Sequence, residues 1–126
     1  MMMFSMLNRS SASERLQAVQ YLKDIVSEDD EVMTAMLDVF ERDPNVNVRL
    51  ATLDALSLAA RDERVKEGII HNITTQDSPI IQLALVEFAV SMKDERAADA
   101  LRTLLQKNDL NMTVRSRVNE GLRRLS

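Results

Sequence analysis

The chain has 126 residues, of which 45% are hydrophobic and 29% are charged, and its formal net charge is -4 at pH 7. This length suits one domain, and the composition is typical of a globular protein. Because there is no cysteine, disulfides, zinc–thiolate sites and thiol catalysis are excluded from the chain. The absence of cysteine is compatible with both the cytoplasm and the periplasm, so the compartment stays open.

The residue composition also indicates the fold class. The chain contains only two glycines and two prolines, and aromatic residues make up 3% of it. A β-sheet protein needs more turn glycines and more aromatic or β-branched strand residues. Leu, Ala, Met, Arg, Glu and Asp are instead abundant, and most of these favour helices. The sequence therefore predicts an all-α protein.

The first ten residues are predicted to be an N-terminal extension. Residues 1–7 are apolar, but this run is too short for a signal peptide or a membrane span. Apolar residues then recur at helical spacing over residues 11–26, which predicts the first helix. Either Ser11 or Ser13 is suited to be its N-cap.

Sequence signals mark where the next helices begin and end. The acidic residues 28–31 favour the start of the second helix, because carboxylates are stabilised at the positive end of the helix dipole. Asp43-Pro44 ends that helix, since a proline disfavours the helical conformation of the residue before it. The third helix follows to about residue 60, and Asp62 is the predicted cap of the fourth.

Similar start and stop signals recur in the second half of the chain. Pro79 fits the first turn of the fifth helix, where its missing N–H is not needed. Lys93-Asp94 ends that helix and precedes the sixth. The polar segment 108–111 then separates a seventh helix, which continues into the C-terminal region.

The strongest signal in the chain is an internal repeat. Val48, Ile81 and Val114 are spaced by 33 residues, and Leu56, Ala89 and Leu122 follow the same spacing. A period of about 33 residues with two helices in each predicts an α-solenoid, in which every pair buries its apolar stripe against its neighbours. We expect about seven helices in three and a half repeats within one domain, residues 11–126. The repeats are expected near residues 11–43, 44–77, 78–108 and, as a half repeat, 109–126.

The segment Asp43–Arg49 combines an Asp-Pro turn with a Val-Arg pair, and small and large apolar residues follow it. This pattern resembles the first helix of a HEAT repeat. Val114-Arg115 repeats the pair, whereas Ile81-Gln82 departs from it. The resemblance covers roughly residues 11–126. It implies an α-α superhelix of the HEAT or armadillo type and a non-catalytic function as a protein-binding scaffold.

A narrower resemblance is carried by residues 45–51 and 76–85. They look like the C-terminal HEAT region of bacterial anti-sigma-factor-like membrane proteins. Those proteins also carry an N-terminal zinc-binding segment and one transmembrane helix, and neither is found in these 126 residues. The resemblance implies a regulatory or sensory domain, either cytoplasmic or, with a membrane anchor before Met1, periplasmic.

In stacked HEAT pairs the second helices line the concave recognition face, and their polar positions should recur in register. These rows are acidic to neutral, so we expect a protein or peptide partner with some basic character. The simpler interpretation is that they form the solvated face of amphipathic helices. The candidate partner-binding residues are Thr34, Asp38, Glu41, Glu67, His71, Thr74, Asp99, Thr103 and Gln106.

An enzymatic function is not indicated. His71 is the only histidine, and Glu67 is the only carboxylate at helical spacing from it, which makes a poor metal site. The acidic residues 28–31 lack the spacing of a calcium loop. Gly68 and Gly121 form no phosphate-binding loop, and their place inside predicted helices indicates close helix packing. We therefore expect no catalytic residues, no metal and no cofactor.

The charge distribution leaves two alternatives open. Residues 1–63 carry 6 basic against 12 acidic side chains, and residues 64–126 carry 10 against 8. These ends are either solvated or support head-to-tail self-association or docking of a charged partner. The second alternative is a nucleic-acid-binding HEAT-like protein, although no aromatic residues accompany the basic ones. That surface would use Arg102, Arg115, Arg117, Arg123 and Arg124.

Overall fold

A computed structural model describes residues 6–8 and 11–125, and among these no β-strand occurs. Residues 1–5, 9 and 10 of the expected N-terminal extension, and Ser126, lie outside the described residues. A short 3-10 helix spans Met6–Asn8. The α-helices are α1 (Ala12–Leu22), α2 (Asp30–Arg42), α3 (Val46–Ser57), α4 (Glu63–Ile73), α5 (Pro79–Met92), α6 (Glu95–Leu104) and α7 (Met112–Leu125). The all-α prediction is confirmed.

The helices begin where local sequence signals place them. Ser11 rather than Ser13 caps α1, because its hydroxyl oxygen accepts a hydrogen bond from the backbone N–H of Glu14 at 3.3 Å. The predicted cap Asp62 is also confirmed, since its carboxylate accepts from the N–H of Arg64 at 2.9 Å. Pro79 occupies the first turn of α5, as expected for a residue without an N–H.

The first helix ends earlier than the apolar spacing predicts. It stops at Leu22 instead of continuing to Val26, and tight turns follow over residues 23–28. The N–H of Ile25 bonds to the carbonyl of Leu22, and the N–H of Glu28 bonds to that of Ile25. Both hydrogen bonds join residues three apart, as in a 3-10 helix, so the chain turns more tightly here than in an α-helix. Val26 is nevertheless fully buried, so its apolar character reflects the core and not a continuing helix.

By its contacts the chain divides into two compact units, Met1–Val65 and Lys66–Ser126. In the first unit both α1 and α2 pack against α3, and the 3-10 helix packs against α1. Its fully buried side chains include those of Met36, Phe40 and Leu56. The domain boundaries expected from the sequence stay a prediction.

In the second unit α5 packs against both α6 and α7, and α6 also contacts α7. Its largest fully buried side chains include those of Ile81, Leu85 and Leu101. The contact between α5 and α7 is close at Gly121, where an added Cβ would lie 2.8 Å from Cγ2 of Val90. The close helix packing expected at this glycine is therefore confirmed.

The two units share one internal pattern. In each unit the last of three helices packs against the other two: α3 against α1 and α2, and α7 against α5 and α6. The repeat positions Val48, Ile81 and Val114 are all 1% exposed or less, which confirms their predicted place in the core. The solenoid arrangement expected from the repeat stays a prediction.

Candidate partner-binding surface

The first group of candidate residues lies on one exposed face of α2. Thr34, Asp38 and Glu41 are all exposed there. The Thr34 hydroxyl donates to the carbonyl of Asp30 at 2.9 Å, so it bonds to its own helix. The Asp38 carboxylate accepts from Nε of Arg42 at 2.7 Å. Because Arg42 compensates Asp38, this face is less acidic than its carboxylates alone suggest.

The second group belongs to α4 and its end. Glu67 and His71 are exposed one turn apart on this helix. Thr74 directly follows the helix end at Ile73 and is half-buried, so it offers less surface than the sequence predicts. An exposed imidazole beside one exposed carboxylate can take part in polar contacts with a partner.

The third group belongs to α6. Asp99 and Thr103 are exposed on the helix, and Gln106 is exposed just beyond its end at Leu104. Asp99 accepts from Arg102 at 2.6 Å, which repeats the compensation seen on α2. The structure therefore brings residues together within each group. The groups on α2 and α6 belong to different compact units.

The compensating pairs on these faces are weak contributors to stability. The side chains of Asp38 and Arg42 are 62% and 73% exposed, and those of Asp99 and Arg102 are 72% and 55% exposed. Exposed pairs of this kind contribute about 0–1 kcal/mol each because water screens them. A charged partner could compete for either member of such a pair at little cost to the fold. Each of these side chains is therefore held only weakly by its partner.

The acidic segment before α2 serves the start of that helix. Asp29 is its N-cap, with its carboxylate accepting from the N–H groups of Glu31 and Val32 at 3.0 and 3.2 Å. Asp30 bonds at 2.9 Å to Nη2 of Arg64 at the start of α4. The prediction of a helix N-terminus is confirmed.

Arg64 also bonds the cap of its own helix. Its Nη2 lies 2.9 Å from Oδ2 of Asp62, and Nε lies 3.1 Å from Oδ1. This side-chain hydrogen bond, helped by the backbone N–H of Arg64, lowers the pKa of Asp62 below its ordinary value. The same contacts raise the pKa of Arg64. One arginine thus joins the N-terminal ends of α2 and α4.

The same arrangement of a capping aspartate and an arginine occurs at the start of α6. Asp94 caps the helix and is held by Arg96, with Nη2 to Oδ2 at 2.7 Å and Nε to Oδ1 at 3.1 Å. Hydrogen bonds from the side chain and then the backbone of Arg96 lower the pKa of Asp94 to about 2. The Asp-Glu-Arg sequence that recurs at these two places is therefore a capping motif.

Sequence reasoning missed a buried ion pair in the first unit. Nε of Arg15 donates to Oδ2 of Asp43 at 2.6 Å, and Nη2 donates to Oδ1 at 3.2 Å. Asp43 also accepts from the N–H of Asn45 at 2.9 Å. The available signal was that Arg15 shares the helical stripe of Val19 and Leu22. A charged side chain on that stripe must find a partner in the core.

A comparable role belongs to polar residues near the start of the later first helices. Gln82 donates to the carbonyl of Gln76 at 2.9 Å, while Arg115 donates to the carbonyls of Leu105 and Lys107 at 2.9 and 2.8 Å. Each therefore bonds the connection that precedes its own helix. At both of these positions, which are 33 residues apart, the side chain therefore acts structurally.

Most of the arginines that a nucleic-acid-binding surface would use already contact other groups of the chain. Arg117 bonds Glu87 at 2.7 Å, and Arg124 lies 3.8 Å from Glu120. Arg115 bonds the backbone, as described above, and Arg102 pairs with a carboxylate. These contacts reduce the positive charge that a phosphate backbone would meet.

The described residues offer neither a metal-binding cluster nor a membrane-spanning helix. Within residues 6–8 and 11–125, no group of three or more His, Asp and Glu side chains is placed to hold a metal ion. In that same part of the chain, no helix is both long and apolar enough to cross a bilayer.

Comparison with known proteins identifies no relative of the chain. No protein-family model matches the chain, and neither a curated protein nor a solved structure matches it. Evidence on function therefore comes from the repeat in the sequence, the packing within each unit and the exposed helix faces.

Proposed function

We propose that the chain is a non-catalytic protein-interaction module, built as a short α-solenoid of HEAT-like repeats. The observation that carries this proposal is the three-helix pattern that recurs in the two compact units. It coincides with the 33-residue register of buried positions Val48, Ile81 and Val114. Repeats of this kind stack into extended surfaces that suit protein partners.

The proposed recognition surface is the exposed face of the second helices, α2, α4 and α6. Eight of the nine candidate residues are exposed, Thr74 being half-buried. The carboxylates of this set are Asp38, Glu41, Glu67 and Asp99, and they favour a partner with basic side chains. Because pairs such as Asp38–Arg42 are weak, a basic partner can replace the arginine at small cost. Complementary charge of this kind contributes mainly specificity and association rate.

A charge-reversal experiment tests this surface. The Asp38→Arg and Glu67→Arg double variant should lose a partner that the wild-type protein captures from its native host. The matched control is Asp54→Arg with Asp109→Arg, which reverses two exposed carboxylates elsewhere and changes the net charge equally. Quantitative mass spectrometry of the captured proteins gives the readout, and circular dichroism checks that both variants stay helical.

The outcomes of that experiment are distinct. Loss by the first variant with retention by the control supports the proposed face. Equal retention by both variants rejects it, because reversing two charges at a contact should cost several kcal/mol. Equal loss by both would mean that capture depends only on net charge. Retention of the wild type on DNA or heparin with a steep salt dependence would instead favour the nucleic-acid alternative.

The repeat architecture has its own test. In a HEAT-like stack, every first helix should contact the first helix of the next repeat, including α3 and α5. An experimental structure of the full chain, or distance measurements between spin labels on exposed α3 and α5 positions, would measure this contact. Axes of α3 and α5 that lie well beyond the roughly 10 Å interaxial distance of packed helices would reject the solenoid. They would leave the all-α assignment intact.

The narrower proposal is a regulatory or sensory domain of an anti-sigma-like membrane protein. It is supported by the resemblance of residues 45–51 and 76–85 described above. The test is the coding sequence that precedes Met1. A membrane-spanning segment with a Cys/His cluster, beside a sigma-factor gene, would support the proposal. An upstream sequence without either feature would reject it and leave the general interaction module standing.

Self-association is the remaining proposal about partners. The excess of acidic residues in the first half and of basic residues in the second allows head-to-tail contacts. Sedimentation velocity at low and high salt would detect them. A species larger than the monomer at low salt, dissociating at high salt, is the expected result. A monomer under both conditions would reject the proposal.

A further inference from the structure

We draw no further inference here: the strongest candidate, the open groove of about 320 Å³ between α5 and α7 above Val86, Val90 and Gly121, is rimmed by equal numbers of arginines and glutamates, and nothing in the structure shows what covers it.

Discussion

Replacing Asp43 by asparagine should destabilise the first unit far more than any change to an exposed ion pair. The substitution keeps the size of the side chain and an oxygen for the N–H of Asn45, but it removes the negative charge beside Arg15. The side chains of Arg15 and Asp43 are only 11% and 4% exposed. Water therefore cannot replace the lost carboxylate, and the buried guanidinium retains its desolvation cost.

The expected magnitude follows from this burial. Removing one partner of a buried ion pair typically costs about 3–5 kcal/mol. That is a large fraction of the roughly 5–15 kcal/mol by which domains are stable. At roughly 4 °C for each kcal/mol in a chain of this size, the melting temperature should fall by about 12–20 °C. Arginine is not deprotonated in proteins, so the Arg15 guanidinium keeps its charge in the variant and cannot escape this cost.

The assay is urea denaturation followed by circular dichroism at 222 nm. The matched control is Asp38→Asn, which removes a carboxylate from an exposed arginine pair and should cost less than about 1 kcal/mol. Arg15→Met combined with Asp43→Asn should be more stable than the sum of the two single changes predicts, because neither charge then stays buried. The reasoning is refuted if Asp43→Asn and Asp38→Asn have the same midpoint.

Three further predictions concern the second unit. Gly121→Ala should lower the free energy of unfolding measured in urea, because the added Cβ would lie 2.8 Å from Val90 and overpacking costs about 1–3 kcal/mol. A variant more stable than the wild type would contradict the close packing. Lys93→Gly should raise that free energy by up to about 1 kcal/mol, since Lys93 has a φ of 53°, whereas Lys93→Ala should give no such gain. Asp94, whose pKa is lowered to about 2 by its hydrogen bonds with Arg96, should stabilise the fold above pH 4 and lose that contribution as the pH falls through about 2. A carboxyl NMR titration of Asp94 with a midpoint near 3.8, its ordinary value, would contradict this, and Asp94→Asn should flatten the stability profile in the same range.

The helix starts could be predicted because they depend on local chemistry. Ser11, Asp62 and Pro79 act within one turn of their own position, so their roles are visible in the sequence. The end of α1 could not be predicted in the same way. Val26 continues the apolar spacing, but it enters the core from a turn, and only packing against other helices determines that.

The candidate surface was predictable in part. Helical periodicity places Asp38 and Asp99 on exposed faces, as the structure shows. Their pairing with Arg42 and Arg102 follows from spacings of four and three residues and was within reach of the sequence. Thr74 was placed less well, because α4 ends one residue before it and leaves it half-buried.

The sequence by itself determined the all-α fold, the 33-residue register and the capping of most helices, because these depend on composition and on contacts within a turn. Only the tertiary structure decided how the buried polar groups are satisfied. Arg15 and Asp43 are 28 residues apart, and either could have found another partner. Their pairing requires α1 and the end of α2 to meet in the core, where an ion without its counter-charge would be too costly to keep.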